Sequence, residues 1–246
     1  MAKREALSLE LCRNGISRTS GRLHHEVQDV LKRILKITAL VLVMLLILAG
    51  AGIYYVGVRH REIWFDYVYR NPGGFKKEAN SLLVQTVSNV PPGKALDIAM
   101  GEGRNAVWLA TKGWDVTGFD ISDEGLRQAE EKAAKAGVAI RTINAKSEDF
   151  DYGSEQWDLI VLSYAFTPIP DADYVERLRN SLRPGGLLVY EHYQQMIADI
   201  VPGAIHAGDA PKIFSNFEIL KFEEPVTRGD WNPKTLPLVR LVATRR

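Results

Sequence analysis

Residues Lys94 to Ser122, KALDIAMGEGRNAVWLATKGWDVTGFDIS, constrain the fold more than any other stretch of this 246-residue chain. A short apolar run (Ala95, Leu96) ends in Asp97, and glycines follow at 101 and 103. A helix-like segment leads to a second apolar run, Val116 to Phe119, closed by Asp120. A strand, a glycine turn, a helix and a second strand ending in an acid make half of a nucleotide-binding α/β fold.

The spacing says which nucleotide. A dinucleotide turn reads G-x-G-x-x-G and rests a pyrophosphate on the next helix. Here the order is Asp97-x-x-x-Gly101-x-Gly103, with Ala99 where a first glycine would stand. A carboxylate ahead of the turn repels a pyrophosphate and suits an ammonium group, while Asp120 stands where a carboxylate accepts ribose hydroxyls. An amino-acid tail, a ribose and no phosphate describe S-adenosylmethionine (SAM). The alternative is an ordinary α/β turn with another ligand or none.

The run DIAMGEGRNAVWLA resembles motif I of the class I SAM-dependent methyltransferases, D-x-G-x-G-x-G with the first glycine replaced by Ala99. The likeness extends from about Trp64 to the C-terminus and is nearest to small-molecule methyltransferases of the tellurite- and thiopurine-processing kind. It implies that Asp97, Ala99, Gly101 and Gly103 face the methionine end of the cofactor, Asp120 the ribose and Ile121 the adenine. In NAKSEDF, Lys146 stands where the family usually has its adenine-side acid, which leaves Ser147 and Glu148 for that role. The implied fold is α/β: a Rossmann-like, seven-stranded methyltransferase sheet of order 3-2-1-4-5-7-6, to which a separate apolar stretch adds a preceding transmembrane helix.

Ile37 to Val58 is a 22-residue stretch without a charge, long enough to cross a hydrocarbon core of about 30 Å as a helix. Lys32, Arg33 and Lys36 flank one end and Arg59, His60 and Arg61 the other, with Tyr54 and Tyr55 placed as interfacial aromatics. A buried core helix and a cleaved signal peptide are the alternatives. The organisation that follows is a basic leader (1–36), a membrane helix (37–58), a linker with a cap helix (59–90) and the methyltransferase domain (91–246). The leader contains an amphipathic stretch around Leu23 to Leu35, suited to an anionic lipid surface.

Charge divides unevenly. Residues 1–61 hold ten Lys/Arg against four Asp/Glu, and residues 62–246 hold 21 against 26. A mildly acidic domain is not built for a phosphate backbone, so no nucleic-acid partner is expected. The positive leader favours a cytoplasmic N-terminus, but SAM is made in the cytosol, which places the catalytic domain on the cytosolic face of a single-pass membrane protein. The single Cys12 excludes an intrachain disulfide, and the five histidines show no metal-ligand spacing.

Further along, Phe75 to Val87 has helical periodicity, Asp123 to Ala136 is an Ala- and Glu-rich helix behind Ser122, and Val138 to Ile143 reads as a third strand. Trp157 to Phe166 and LLVYEHY (187–193) read as strands four and five, ending on the ligand edge of the sheet at Ser163-Tyr164 and Glu191-His192-Tyr193. Ser163 joins the cofactor candidates. Ser163-Tyr164-Ala165-Phe166 is unlike the N-P-P-Y loop that holds a flipped base. His192 is the candidate general base, with Tyr164 and Glu191 as positioning groups, and a packing histidine is the alternative. Arg104 either binds an anionic substrate or caps the turn.

The expected activity is methyl transfer to a small molecule such as a thiol, chalcogen, phenol, quinone or lipid, made at a membrane. SAM binding without catalysis, serving regulation or assembly, is the competing expectation.

Overall fold

The computed structural model describes residues 28, 31–55, 60–71, 73–195, 201–231 and 234–246. The chain divides after Arg59 into two units. In the first, helix α1 (Leu31–Tyr54) has 24 residues, none of them buried, and is long and apolar enough to cross a membrane. At 1.5 Å per residue it spans about 36 Å. It begins six residues before the uncharged stretch and so includes Lys32, Arg33 and Lys36. Residues 56–58 of that stretch, Cys12, and Leu23 to Val27 of the amphipathic segment lie outside the described residues.

The second unit, His60–Arg246, is built on a mixed sheet. Its strands are β1 (Lys94–Ile98), β2 (Asp115–Asp120), β3 (Arg141–Asn144), β4 (Trp157–Ser163), β5 (Leu182–Tyr193), β6 (Glu218–Glu223), β7 (Val226–Arg228) and β8 (Thr235–Thr244). Their order is β3-β2-β1-β4-β5-β8-β6, with the short β7 paired to β8. This is the expected order with one extra strand. β1, β2, β3, β4 and β5 run parallel, and β8 joins β5 and β6 antiparallel.

Helices α2 (Arg61–Arg70), α3 (Ser81–Val87), α4 (Arg104–Thr111), α5 (Asp123–Ala136), α6 (Ala172–Ser181) and the single turn α7 (Ala210–Ile213) complete the unit. Strand β4 alternates between two cores: Ile160 and Leu162 meet Tyr174, Leu178 and Tyr190 on one face. Leu159 and Val161 meet Leu83, Leu109 and Ala129 on the other. A parallel strand covered on both faces is mostly apolar, and β1, KALDI, buries all but its first residue, with Asp97 the one charged group among them.

Local chemistry sets the boundaries. The Ser122 hydroxyl accepts the Gly125 N–H at the start of α5, and Gly137 in the left-handed region ends it. The helix expected over Phe75 to Val87 is confined to Ser81–Val87, because the Asn80 side chain caps it and the Lys76 N–H is committed to the Asp230 carbonyl. β3 starts at Arg141 rather than Val138, since the Val138 N–H still bonds back to Ala133. β4 ends at Ser163, at the expected Ser163-Tyr164 edge, and Tyr164 turns to φ +57°. Residues Arg183 to Gly186 form an irregular stretch within β5 before regular pairing resumes at Leu159 and Leu187.

Candidate cofactor and active site

The glycine turn leaves β1 with three residues at positive φ: Ala99 (+53°), Gly101 (+53°) and Gly103 (+72°). Ala99 therefore has the backbone of the glycine it replaces, at a cost of about 1–2 kcal/mol. The turn is sewn to β2. The Gly101 N–H donates to Asp120 Oδ2 at 2.9 Å, the Ser122 N–H donates to Asp120 Oδ1 at 2.9 Å, and the Met100 N–H bonds the Phe119 carbonyl. Burial pushes Asp120 up to about 6 against these donors.

Asp97 lies beneath the turn, 1% exposed. Its Oδ2 is buried with no hydrogen-bond partner among the described residues. Burial raises its pKa to about 7, with Arg104 and the Ala106 N–H pulling the other way. A buried carboxyl oxygen without a partner has a lone pair free for one more hydrogen-bond donor.

Arg104 opens α4 and faces the cleft. It donates to the Glu78 carbonyl and the Ser163 hydroxyl, and pairs with Asp230 at 2.8 Å. Asp230 also receives Lys76 Nζ at 3.0 Å and Asn80 Nδ2 at 2.8 Å. Burial raises the Asp230 pKa, but Arg104, Asn80 and Lys76 outweigh burial and hold it below the usual carboxylate value. The network continues through Asn80 to Glu191 (2.7 Å), which takes the Tyr164 hydroxyl at 2.7 Å and Arg240 Nε at 2.5 Å. A cavity of about 30 Å³ remains between Tyr69, Met100, Gly101, Arg104, Ser163 and Trp231.

Residues 95–186 match the family model of a methyltransferase domain. Over 206 residues the chain is 25% identical to hemagglutinin 1 of Eikenella corrodens, covering 73% of this chain and 63% of that protein. It is 27% identical over 123 residues to the ubiquinone/menaquinone biosynthesis C-methyltransferase UbiE of Geotalea daltonii, covering 47% and 52%. The chain thus spans less than two thirds of the length of either relative. The fold is also that of TehB from Haemophilus influenzae, with a TM-score of 0.57 at 17% identity over 75% of this chain and 67% of that one. The chain carries a SAM-dependent methyltransferase domain.

The cofactor of this family is SAM, and the methyltransferase domain has the groups to hold it. Asp97 would meet an ammonium group with its unpaired oxygen, Asp120 would have lone pairs left for hydroxyl donors, and Arg104 and Lys76, both paired with Asp230, lie on the same cleft. Gly103 has a different task from Gly101. A methyl group there would press on the Ala129 side chain, so Gly103 allows α4 to approach α5. Ile121 is half-buried beside Asp120, Ser147 is buried, and half-exposed Glu148 lies 3.9 Å from Arg61. Ser163 lines the cleft.

The three catalytic candidates of the methyltransferase domain are close together. Tyr164 and Glu191 are bonded to each other, so the phenol already spends its proton; burial and the neighbouring Glu191 carboxylate raise its pKa far above normal. His192 is 1% exposed and stacked on Tyr190. Burial lowers its pKa to about 4, against a contact with the Tyr193 carbonyl. With Nδ1–H assigned toward that carbonyl (3.3 Å), Nε2 is an unpartnered acceptor among the described residues. The residues that sequence reasoning passed over are Lys76, Asn80, Asp230 and Trp231, whose only mark was polar or aromatic character in two loops distant in sequence.

Proposed function

We propose that this protein is a membrane-anchored enzyme that transfers the methyl group of SAM to a small lipophilic acceptor on the cytosolic face. The observation that carries the enzymatic half is Asp97 Oδ2, a buried, unpaired carboxylate oxygen under a methyltransferase glycine turn. The anchoring half is supported by α1, with its 24 apolar-rich residues and no buried side chain. An acceptor drawn from the lipid phase, such as a quinone precursor, a phenol, a hydrophobic thiol or a lipid headgroup, fits a domain tethered there. The similarity to a quinone-biosynthesis methyltransferase supports that class.

SAM supplies a methyl group already activated on a sulfonium, so the protein need only align the acceptor and keep water out. Asp97 would hold the ammonium group and Asp120 the ribose hydroxyls, and Arg104 with Lys76, which share the single Asp230 carboxylate, would leave one positive charge for the cofactor's carboxylate. His192, neutral at pH 7, can take a hydrogen bond from an acceptor hydroxyl or thiol through Nε2. Tyr164 and Glu191 hold the floor of this region rather than move protons.

A second reading, SAM binding without turnover, is favoured by that mutual bonding of Tyr164 and Glu191. Incubating detergent-solubilised protein with methyl-labelled SAM and a panel of thiols, phenols, quinones and lipids separates the two. Label in an acceptor supports the enzyme, whereas cofactor binding with no labelled product supports the second reading. Alkaline carbonate extraction tests the anchor, since release of the full chain into the supernatant would contradict it.

A further inference from the structure

We propose that Tyr69 gates the cofactor cleft, its phenol filling the space over Gly101 and having to leave before the methionine end of the cofactor can lie there. The proposal rests on reading this cleft as the SAM site. Tyr69 projects from the inner face of α2 and is 5% exposed. A methyl group on Gly101 would overlap the Tyr69 hydroxyl, and one on Gly125 would come within 3.1 Å of the ring. The side chains that two glycines of the cofactor-binding region give up are thus replaced by a phenol from another element. The adjoining cavity of about 30 Å³ accommodates roughly one water, whereas sites for molecules of cofactor size run to several hundred Å³, roughly 300 or more.

The way α2 is attached suits a part that moves. Phe65 and Tyr69 are buried, yet neither belongs to either hydrophobic core of the domain. Their ring contacts are edge-on to Trp231, each at 6.2 Å, and Phe65 also meets Phe166 at 5.2 Å. The remaining ties are polar: Arg61 lies 3.9 Å from Glu148, and the others join α2 to the first turns of α5. Asp66 accepts the Ser122 hydroxyl at 2.6 Å and the Glu124 N–H at 3.1 Å, and Gln128 donates to the Tyr69 carbonyl at 3.0 Å. Lifting α2 breaks these without opening either core, which places it at the low end of local stability. Burial and the Asp120 and Glu102 carboxylates keep the phenol protonated, so a neutral group is exchanged for a zwitterionic one.

The test measures S-adenosylhomocysteine binding to the full chain in detergent by stopped flow and calorimetry, for wild type, Tyr69→Phe and Tyr69→Ala. Hydrogen exchange of residues 61–70 is followed with and without ligand. Removing the ring removes the fraction of closed protein that the ligand must first open. Tyr69→Ala should therefore associate about tenfold faster and bind several-fold tighter, Tyr69→Phe should resemble wild type, and ligand should speed exchange in α2 of the wild type. Binding by Tyr69→Ala alone would also support the gate. Slower or weaker binding by Tyr69→Ala, or greater protection of α2 with ligand, makes Tyr69 a wall of the site and overturns the gate while leaving the cofactor site intact. If no form binds, the cofactor reading falls and the gate with it. Should Tyr69→Ala fail to fold, the wild-type exchange result decides alone.

Discussion

Arg104, in the first turn of α4, and Asp230, in the β7–β8 connection, form a 2.8 Å ion pair with side chains only 9% and 4% exposed. The pair ties the glycine turn to the far end of the sheet, and Lys76 and Asn80 close on the same carboxylate. Removing one partner of a buried pair strands the other and costs about 3–5 kcal/mol. Asp230→Ala should lose stability on that order in urea denaturation. A change below about 1 kcal/mol, the range of exposed pairs, would show that the network is dispensable.

Ala99 makes the opposite prediction. An alanine at φ +53° is strained where glycine is not, so Ala99→Gly should stabilise the domain by about 1 kcal/mol. A rise in thermal midpoint checks this, and a fall would mean that the methyl group packs better than the turn is strained.

Asp97 gives a pH signature. Its folded pKa of about 7 lies above the ordinary carboxylate value, so between pH 4 and 7 the folded state binds more protons than the unfolded one. Its contribution therefore favours folding at low pH and is lost as pH rises through about 7. His192, with its pKa lowered to about 4, acts in the opposite sense, its contribution being lost as pH falls from about 6.5 toward 4. The comparison must therefore be made against Asp97→Asn, whose stability relative to wild type should grow from pH 4 to 7. Wild-type affinity for S-adenosylhomocysteine should rise through the same upper range as the carboxylate ionises, and the Asn variant should lack that rise. A parallel pH dependence in both proteins would remove Asp97 from the ammonium site.

For His192, neutral throughout the physiological range, the pH–rate profile should show no inflection near 6.5. His192→Ala should retain cofactor affinity while turnover falls about 100-fold, the lower end of what a positioned proton acceptor contributes. Undiminished turnover would assign His192 to packing against Tyr190.

Much of this was legible in the chain because it is local. The acids and glycines of 94–122 lie within one strand–turn–helix–strand unit, and Ser122 caps α5 as its hydroxyl and position require. The parallel strands were readable as apolar runs, and their order followed once the methyltransferase resemblance was recognised. Long-range chemistry was hidden. Nothing near Asp230 in sequence shows that it gathers Lys76, Asn80 and Arg104, and it is this convergence that cuts the expected helix at 75–87 back to Ser81. Periodicity could not show it either, because Phe75 and Lys76 satisfy a helical pattern while their backbone is held by another loop. Gly103 illustrates a subtler limit: its spacing fits a ligand turn, but the space it vacates belongs to Ala129 of α5.

The most direct test of the central claim is a calorimetric titration of the full chain with S-adenosylhomocysteine, for wild type and Asp120→Ala. Asp120 holds the glycine turn through the Gly101 and Ser122 N–H groups and stands where the ribose hydroxyls are expected. The wild type should bind one equivalent, and Asp120→Ala should bind at least tenfold more weakly, about 1.4 kcal/mol. Wild-type protein that takes up no ligand would contradict the account. So would an Asp120→Ala variant that binds as tightly as wild type.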